Sequence, residues 1–158
     1  MRSECNRSTP ELGFTGGISP SQEDMMPEKK TIERARNAKR EGKAPTTQAG
    51  EFVREEIEHI RSGKHGARST KQAIAIGLSK ARRAGVKLKP PQKGRTSDRA
   101  RRAAERAYHV GQSGRRQKPS ARRSRATTKA LKREGREAAS PEALSRQARQ
   151  SARRRRMA

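Results

Sequence analysis

Residues 46–88 read TTQAGEFVREEIEHIRSGKHGARSTKQAIAIGLSKARRAGVKL, the one stretch of the chain in which bulky apolar residues recur with a helical period. Thr46 or Thr47 is placed to cap a first helix running through Phe52, Val53, Ile57 and Ile60, with 53, 57 and 60 on one face. Gly63 and Gly66 end it. Ser69-Thr70-Lys71-Gln72 then matches a capping box, a serine at the cap with a glutamine three residues on. It opens a second helix with Ile74, Gly77, Leu78 and Ala81 on one stripe. Gly85 stops that helix, and Val86 and Leu88 alternate with Lys87 and Lys89 before Pro90-Pro91, as an extended tail does. Gly77 and the alanines around it let another backbone come close. The expected unit is a helical hairpin.

This hairpin holds nine bulky apolar residues. Full burial of each contributes roughly 1.5–3 kcal/mol, whereas ordering the backbone costs roughly 1–2 kcal/mol per residue over the whole segment. A unit this lean is marginal as a monomer, which points to a homodimer through the 46–88 hairpin or to packing of neighbouring helices. The expected fold class is therefore mainly α: a small helical hairpin core at 46–89 with largely disordered or marginally helical basic arms.

Outside the core the pattern thins. Residues 26–45 form a basic arm in which TIERARNAKR, Thr31 to Arg40, is helix-compatible and stops at Gly42, with Ile32 its one bulky apolar residue. Residues 90–158 form a Lys/Arg/Ala-rich tail, expected disordered to helical. In it Ser97 to Val110 reads as a polar helix, Gly111 to Ser124 as a linker and Thr127 to Arg133 as a short helix. Ser140-Pro141-Glu142 reads as the capped start of a last helix. Leu131 and Leu144 stand isolated. Residues 1–25 carry a local charge of −2 in a Gly, Ser and Pro-containing context unlike the rest. Two readings fit them: a disordered leader, or sequence that is not translated because the start lies at Met25 or Met26. The recurrence of Lys39-Arg40-Glu41-Gly42 as Lys132-Arg133-Glu134-Gly135 is what so biased a composition produces by chance.

Charge decides the function class. The chain has 41 Lys and Arg against 16 Asp and Glu in 158 residues, a formal charge of +25. Such a chain seeks polyanions, and nucleic acid is the usual one because each phosphate neutralised by Lys or Arg releases condensed counterions. The charge is unevenly spread: +10 in residues 26–89 and +17 beyond them. No membrane partner is expected, since the basic stretches carry almost only alanine where an anchoring face needs bulky residues, and no stretch is apolar enough to span a bilayer. Cys5 is the only cysteine, so an intramolecular disulfide and a cysteine-built zinc site are excluded.

Catalytic constellations are weak. His59 and His65 as a metal pair face the objection that a spacing of six puts them on different faces of a continuing helix, so His59, His65 and His109 read as exposed polar residues. Glu51, Glu55, Glu56 and Glu58 read as a solvated face that screens positive charge. Ser62-Gly63-Lys64-His65-Gly66 lacks the spacing and ending of a nucleotide-binding loop and reads as a flexible basic turn. No enzyme, no cofactor and no metal site is expected.

The candidate interface is built from phosphate-binding groups. Lys64, Arg68 and Lys71 cluster near the start of the second hairpin helix, whose free N–H groups suit phosphate contacts. Lys71, Lys80, Arg82 and Arg83 would face a major groove in a helix–turn–helix, although the connection is long for that motif and a third supporting helix is not evident. In the tail, Arg101, Arg102, Arg122, Arg123, Arg153, Arg154, Arg155 and Arg156 supply phosphate contacts; the last four would also serve as a nuclear targeting run in a eukaryote. With Phe14, Phe52 and Tyr108 the only aromatics, no stacking platform exists for single strands, which favours duplex.

The segment KHGARSTKQAIAIGLSKARRAGVKL, Lys64 to Leu88, resembles a group of small basic bacterial proteins of poorly defined function, loosely labelled DNA-binding or plasmid-stabilisation proteins. Lys71 to Arg82, KQAIAIGLSKAR, is the distinctive part. The resemblance extends from Met26 through the tail and implies a bacterial setting, a DNA-binding label and no catalytic residues. The expected function is low-specificity double-stranded DNA binding by a nucleoid-associated or histone-like cytoplasmic protein. The alternatives are a protein-interaction module of antitoxin or scaffold type that docks through Ile74, Ile76 and Leu78, and an RNA- or ribosome-associated basic protein.

Overall fold

The computed structural model describes residues 26–114 and 120–157, so the readings made for residues 1–25, with Cys5 and Phe14, and for the middle of the 111–124 linker lie outside the described residues. Among those described there are six α-helices and no strand: α1 Lys29–Arg40, α2 Pro45–Arg61, α3 Thr70–Arg83, α4 Asp98–Gln112, α5 Ala121–Lys132 and α6 Pro141–Arg156. A single 3₁₀ turn, Glu137–Ala139, precedes α6. The protein is mainly α, and α2 and α3 form the hairpin at its centre.

Local signals account for most boundaries. Ser69 Oγ accepts from the Gln72 amide at 3.3 Å, and Gln72 Oε1 reaches back to the Arg68 amide at 2.9 Å, one residue earlier than the usual reciprocal partner. Ser97 and Ser140 cap α4 and α6 in the same way, accepting from Ala100 and Ala143. α2 starts earlier than either threonine allows. Pro45 occupies its first position, where a missing N–H costs nothing, and Ala44 is the cap without a side-chain bond. Helix α5 begins at Ala121, six residues before the expected Thr127.

α1 packs on α2, α2 on α3, and α3 on α4. One apolar cluster joins Ala35, Ala49, Phe52, Ala81 and Val86, with Ile32, Leu78 and Leu88 against it. A second joins Ile60, Ala67, Ala73, Ala138 and Ala139, with Ile57 against it. The crossing of α2 and α3 is close because Gly77 has no side chain: a Cβ there would lie 2.7 Å from Val53 Cα and 3.0 Å from the Phe52 carbonyl oxygen. The close approach expected at Gly77 is thus made by α2.

The tail contributes to this core, a difference from the sequence reading with a clear cause. Residues 131–139 run along the α2–α3 connection and are tied to it through main-chain oxygens. Gly66 N donates to Leu131 O at 2.9 Å and Ala67 N to Gly135 O at 3.1 Å. Thr70 Oγ1 donates to Ala138 O at 2.8 Å, and Arg61 Nε to Ala139 O at 2.9 Å. A Cβ on Gly66 would sit 1.9 Å from the Glu134 carbonyl oxygen, so only glycine admits this segment. Leu131 is buried rather than isolated, on the same face of α5 as the buried Ser124 and Thr128. On the other side, Ala104 and Ala107 of α4 are buried, and Gln112 Nε2 donates to Gly85 O at 3.4 Å. Small residues and backbone groups do this packing, so no stripe of bulky residues announces it.

Candidate functional site

Of the cations expected to meet phosphate on the hairpin, Lys64, Arg68, Lys71 and Arg83 are exposed. Arg68 is 82% exposed and lies 3.5 Å from Glu134, and Lys64 Nζ lies 3.0 Å from Glu28 Oε1. Arg83 ends α3, and Lys64, Arg68 and Lys71 sit around its first turn. The Arg68 and Gln72 amides there are already given to side-chain oxygens, so the side chains carry any anion contact at this end more than the helix amides do.

Lys80 and Arg82 are not part of that surface. Lys80 is 3% exposed, with Nζ 2.9 Å from Glu56 Oε2 and 3.4 Å from Glu55 Oε1. Arg82 is buried and donates through Nε to Leu88 O at 3.2 Å and through Nη2 to Lys89 O at 3.4 Å. Burial lowers its pKa from the ordinary guanidinium value, and its bonds fasten the extended tail back onto α3. The helix–turn–helix placement of Lys71, Lys80, Arg82 and Arg83 in one groove loses two of its four residues.

The tail cations are more available. Arg102, Arg122, Arg123, Arg153, Arg154, Arg155 and Arg156 are all exposed, whereas Arg101 is half-buried between Asp98 and Glu105 of its own helix. On α6 the spacing sets Arg146, Arg149, Arg153 and Arg156 along one face, and among the described residues none of the six arginines of this helix has an acidic partner. The helix has no buried residue. Ile74, Ile76 and Leu78 are half-buried, with Leu78 packed on the first apolar cluster, which leaves little of that trio as a free docking face.

Beneath this surface lies a group of ionisable residues that the sequence reading placed in solvent. Glu55, Glu56, His59 and His65 are each under a tenth exposed, and Glu56 is sealed completely. The solvated acidic face is therefore correct only for Glu58, with Glu51 half-buried. The objection to pairing the two histidines assumed a continuing helix. α2 ends at Arg61, the chain turns through Gly63, and His65 folds back until the ring centroids are 6.1 Å apart at 89°. His109 alone is exposed as expected. Glu28, just before α1, reaches the edge of the group: its Oε1 is 2.9 Å from His59 Nε2 and 3.0 Å from Lys64 Nζ. Those two contacts, His59 first, hold its carboxyl down at about 2. Its own amide donates to Glu55 Oε2 at 3.2 Å. The available signal was the position of Glu56 and His59 on the Ala49–Phe52–Ile60 side of α2, followed by a histidine between two turn glycines.

Residues 29–93 match a family model described as a family of unknown function, DUF6496. The match takes in α1 to α3 and every buried ionisable residue of the cluster. The chain matches no curated protein and no solved structure. No helix among the described residues is long and apolar enough to cross a membrane.

Proposed function

We propose that this protein binds double-stranded nucleic acid, DNA in the first instance, as a non-enzymatic phosphate-neutralising protein of the nucleoid-associated or histone-like kind, acting in the cytoplasm. One observation carries the reading. α6 presents its arginines to solvent with no acidic partner among the described residues, while the acidic residues that would dilute this field, Glu55 and Glu56, are turned into the core. Separating the charges in this way raises the positive potential on the outside of a chain whose net charge is already +25.

The arginine-bearing face of α6 spans eleven residues, ten helical steps from Arg146 to Arg156. At 1.5 Å per residue that is about 15 Å, long enough to meet several phosphates of a duplex that carries one charge per roughly 1.7 Å of axis. Arg102, Arg122 and Arg123, with Lys64, Arg68, Lys71 and Arg83, add exposed cations on the other elements. The loss of Lys80 and Arg82 from the α3 surface favours backbone contact over base readout.

Binding to duplex DNA measured over a salt series tests this. With about 6–10 phosphates engaged, affinity falls about 10³–10⁵-fold between roughly 50 and 200 mM salt, with little preference among sequences. An affinity that ignores salt overturns the proposal, as does a preference for single strands over duplex.

A further inference from the structure

The buried ionisable group has a proton arrangement that points to a ligand. His59 Nε2 faces the Glu28 carboxylate at 2.9 Å, an acceptor, so in a neutral ring this nitrogen carries the hydrogen. Nδ1 is then the lone-pair nitrogen, and it is buried with no hydrogen-bond partner. Both nitrogens of His65 face acceptors, Nδ1 the Gly66 carbonyl at 3.1 Å and Nε2 Glu56 Oε1 at 3.3 Å, and the shorter contact assigns the hydrogen of a neutral ring to Nδ1. Its lone-pair nitrogen is then Nε2. Each ring thus directs its hydrogen to an outer acceptor and keeps its lone pair inside. Both oxygens of Glu56 are buried without a hydrogen bond of good geometry, although Lys80 stands 2.9 Å from Oε2. With Lys80 on the other oxygen, Glu56 Oε1 and the two lone-pair nitrogens are left with no hydrogen between them, an arrangement that is unfavourable unless a cation supplies the missing attraction.

We propose that Glu56, His59 and His65 bind one divalent transition-metal ion of the zinc type. One ligand atom from each lies within 4.8 Å of the others, and all three residues are buried. Two imidazole nitrogens and a carboxylate oxygen are the donor set that suits zinc, whereas calcium and magnesium call for oxygen alone. The surroundings have the form of an outer shell. Glu28 orients His59 through the nitrogen that does not ligate, the Gly66 carbonyl does the same for His65, and Lys80 occupies the second oxygen of Glu56, leaving the first for the ion. The ion would tie the C-terminal half of α2 to the turn that follows it, and through Lys80 to α3. Its role is to hold the hairpin, since no ligand reaches the surface.

The rival account of the same heavy-atom positions is a hydrogen on His65 Nε2 donated to Glu56, either in the other neutral tautomer or as a second proton. Metal titration of the purified, nuclease-treated full chain decides between them. After chelator treatment, Zn²⁺ and Co²⁺ are added in high salt, with stoichiometry by elemental analysis, thermal melts by circular dichroism, and the visible d–d absorption of Co²⁺ as a probe of coordination. A chain of charge +25 repels divalent cations from its surface, so stoichiometric uptake reports an interior site. The expected result is one ion per chain, a raised melting temperature reversed by chelator, and a Co²⁺ spectrum of low coordination number. His65→Gln abolishes uptake, Glu28→Gln binds about 10–100-fold more weakly as removal of an orienting partner should, and His109→Gln binds as wild type. Should His65→Gln fail to fold, the wild-type titration and the Glu28→Gln series stand by themselves. Folded wild type that takes up no ion overturns the proposal, and so does uptake unchanged in His65→Gln.

Discussion

Lys80 Nζ lies 2.9 Å from Glu56 Oε2, and with Glu55 on its other side the three form a charged group sealed between α2 and α3. Removing the ammonium leaves two buried carboxylates without the cation they share, a far worse state than the original group. Lys80→Met is expected to destabilise the fold by about 3–5 kcal/mol in a denaturant titration. Because Lys80 is enclosed, the same variant keeps the wild-type salt slope for duplex DNA wherever it remains folded. A changed slope would return Lys80 to the interface.

Two glycines of the hairpin are expected to respond oppositely to alanine. At Gly77 the new methyl meets the backbone of Val53, which cannot swing aside, and Gly77→Ala should cost about 1–3 kcal/mol although alanine is the better helix former. Gly50, in the middle of α2, has nothing within 4 Å of its would-be Cβ. Gly50→Ala should raise stability by about 0.5–1 kcal/mol. Thermal melts of the two single variants side by side are the measurement.

Acid should loosen the junction of α1 with the hairpin. Glu28 has its carboxyl lowered from 4.5 to about 2 by His59 and Lys64, so the folded protein holds this proton less tightly than the unfolded chain does. Its contribution is complete above the unfolded value and disappears as pH falls from about 4.5 towards 2. Melting temperature followed through this window should drop less steeply for Glu28→Gln than for wild type.

Replacing Arg153, Arg154, Arg155 and Arg156 together by glutamine should lower the slope of log affinity against log salt by about 0.9 for each phosphate no longer neutralised. These side chains are exposed and lie in the last turn of α6, so the melting temperature stays within the shift that about 0.5 kcal/mol produces. Filter binding and calorimetry on the same preparation separate the two effects.

The hairpin was legible because its signals are local. Ser69, Ser97 and Ser140 announce helix starts, and Gly77 announces a close crossing, each within a few residues of what it controls. The buried face of α2 was less legible. Its inward positions alternate Ala49, Phe52 and Ile60 with Glu55, Glu56 and His59, and a carboxylate reads as solvent-facing until its distant partners, Lys80 and His65, are known. Those partners lie on the next helix and in a turn. The same distance hid the burial of Lys80 and Arg82, two cations that composition alone assigns to the surface. Docking of the tail was invisible for another reason, since alanines, glycines and carbonyl oxygens make it and none of these carries a pattern.

The strap from Leu131 to Ala139 is gripped by four of its carbonyl oxygens, which every amino acid supplies. What matters along it is therefore count rather than kind. Several exposed side chains there, among them Arg133, Arg136 and Glu137, can be exchanged without touching the grip, whereas inserting or deleting one residue moves every carbonyl out of step with its donor. α6 begins two residues after the strap ends, so the direction in which its arginines face is set by the length of that short segment.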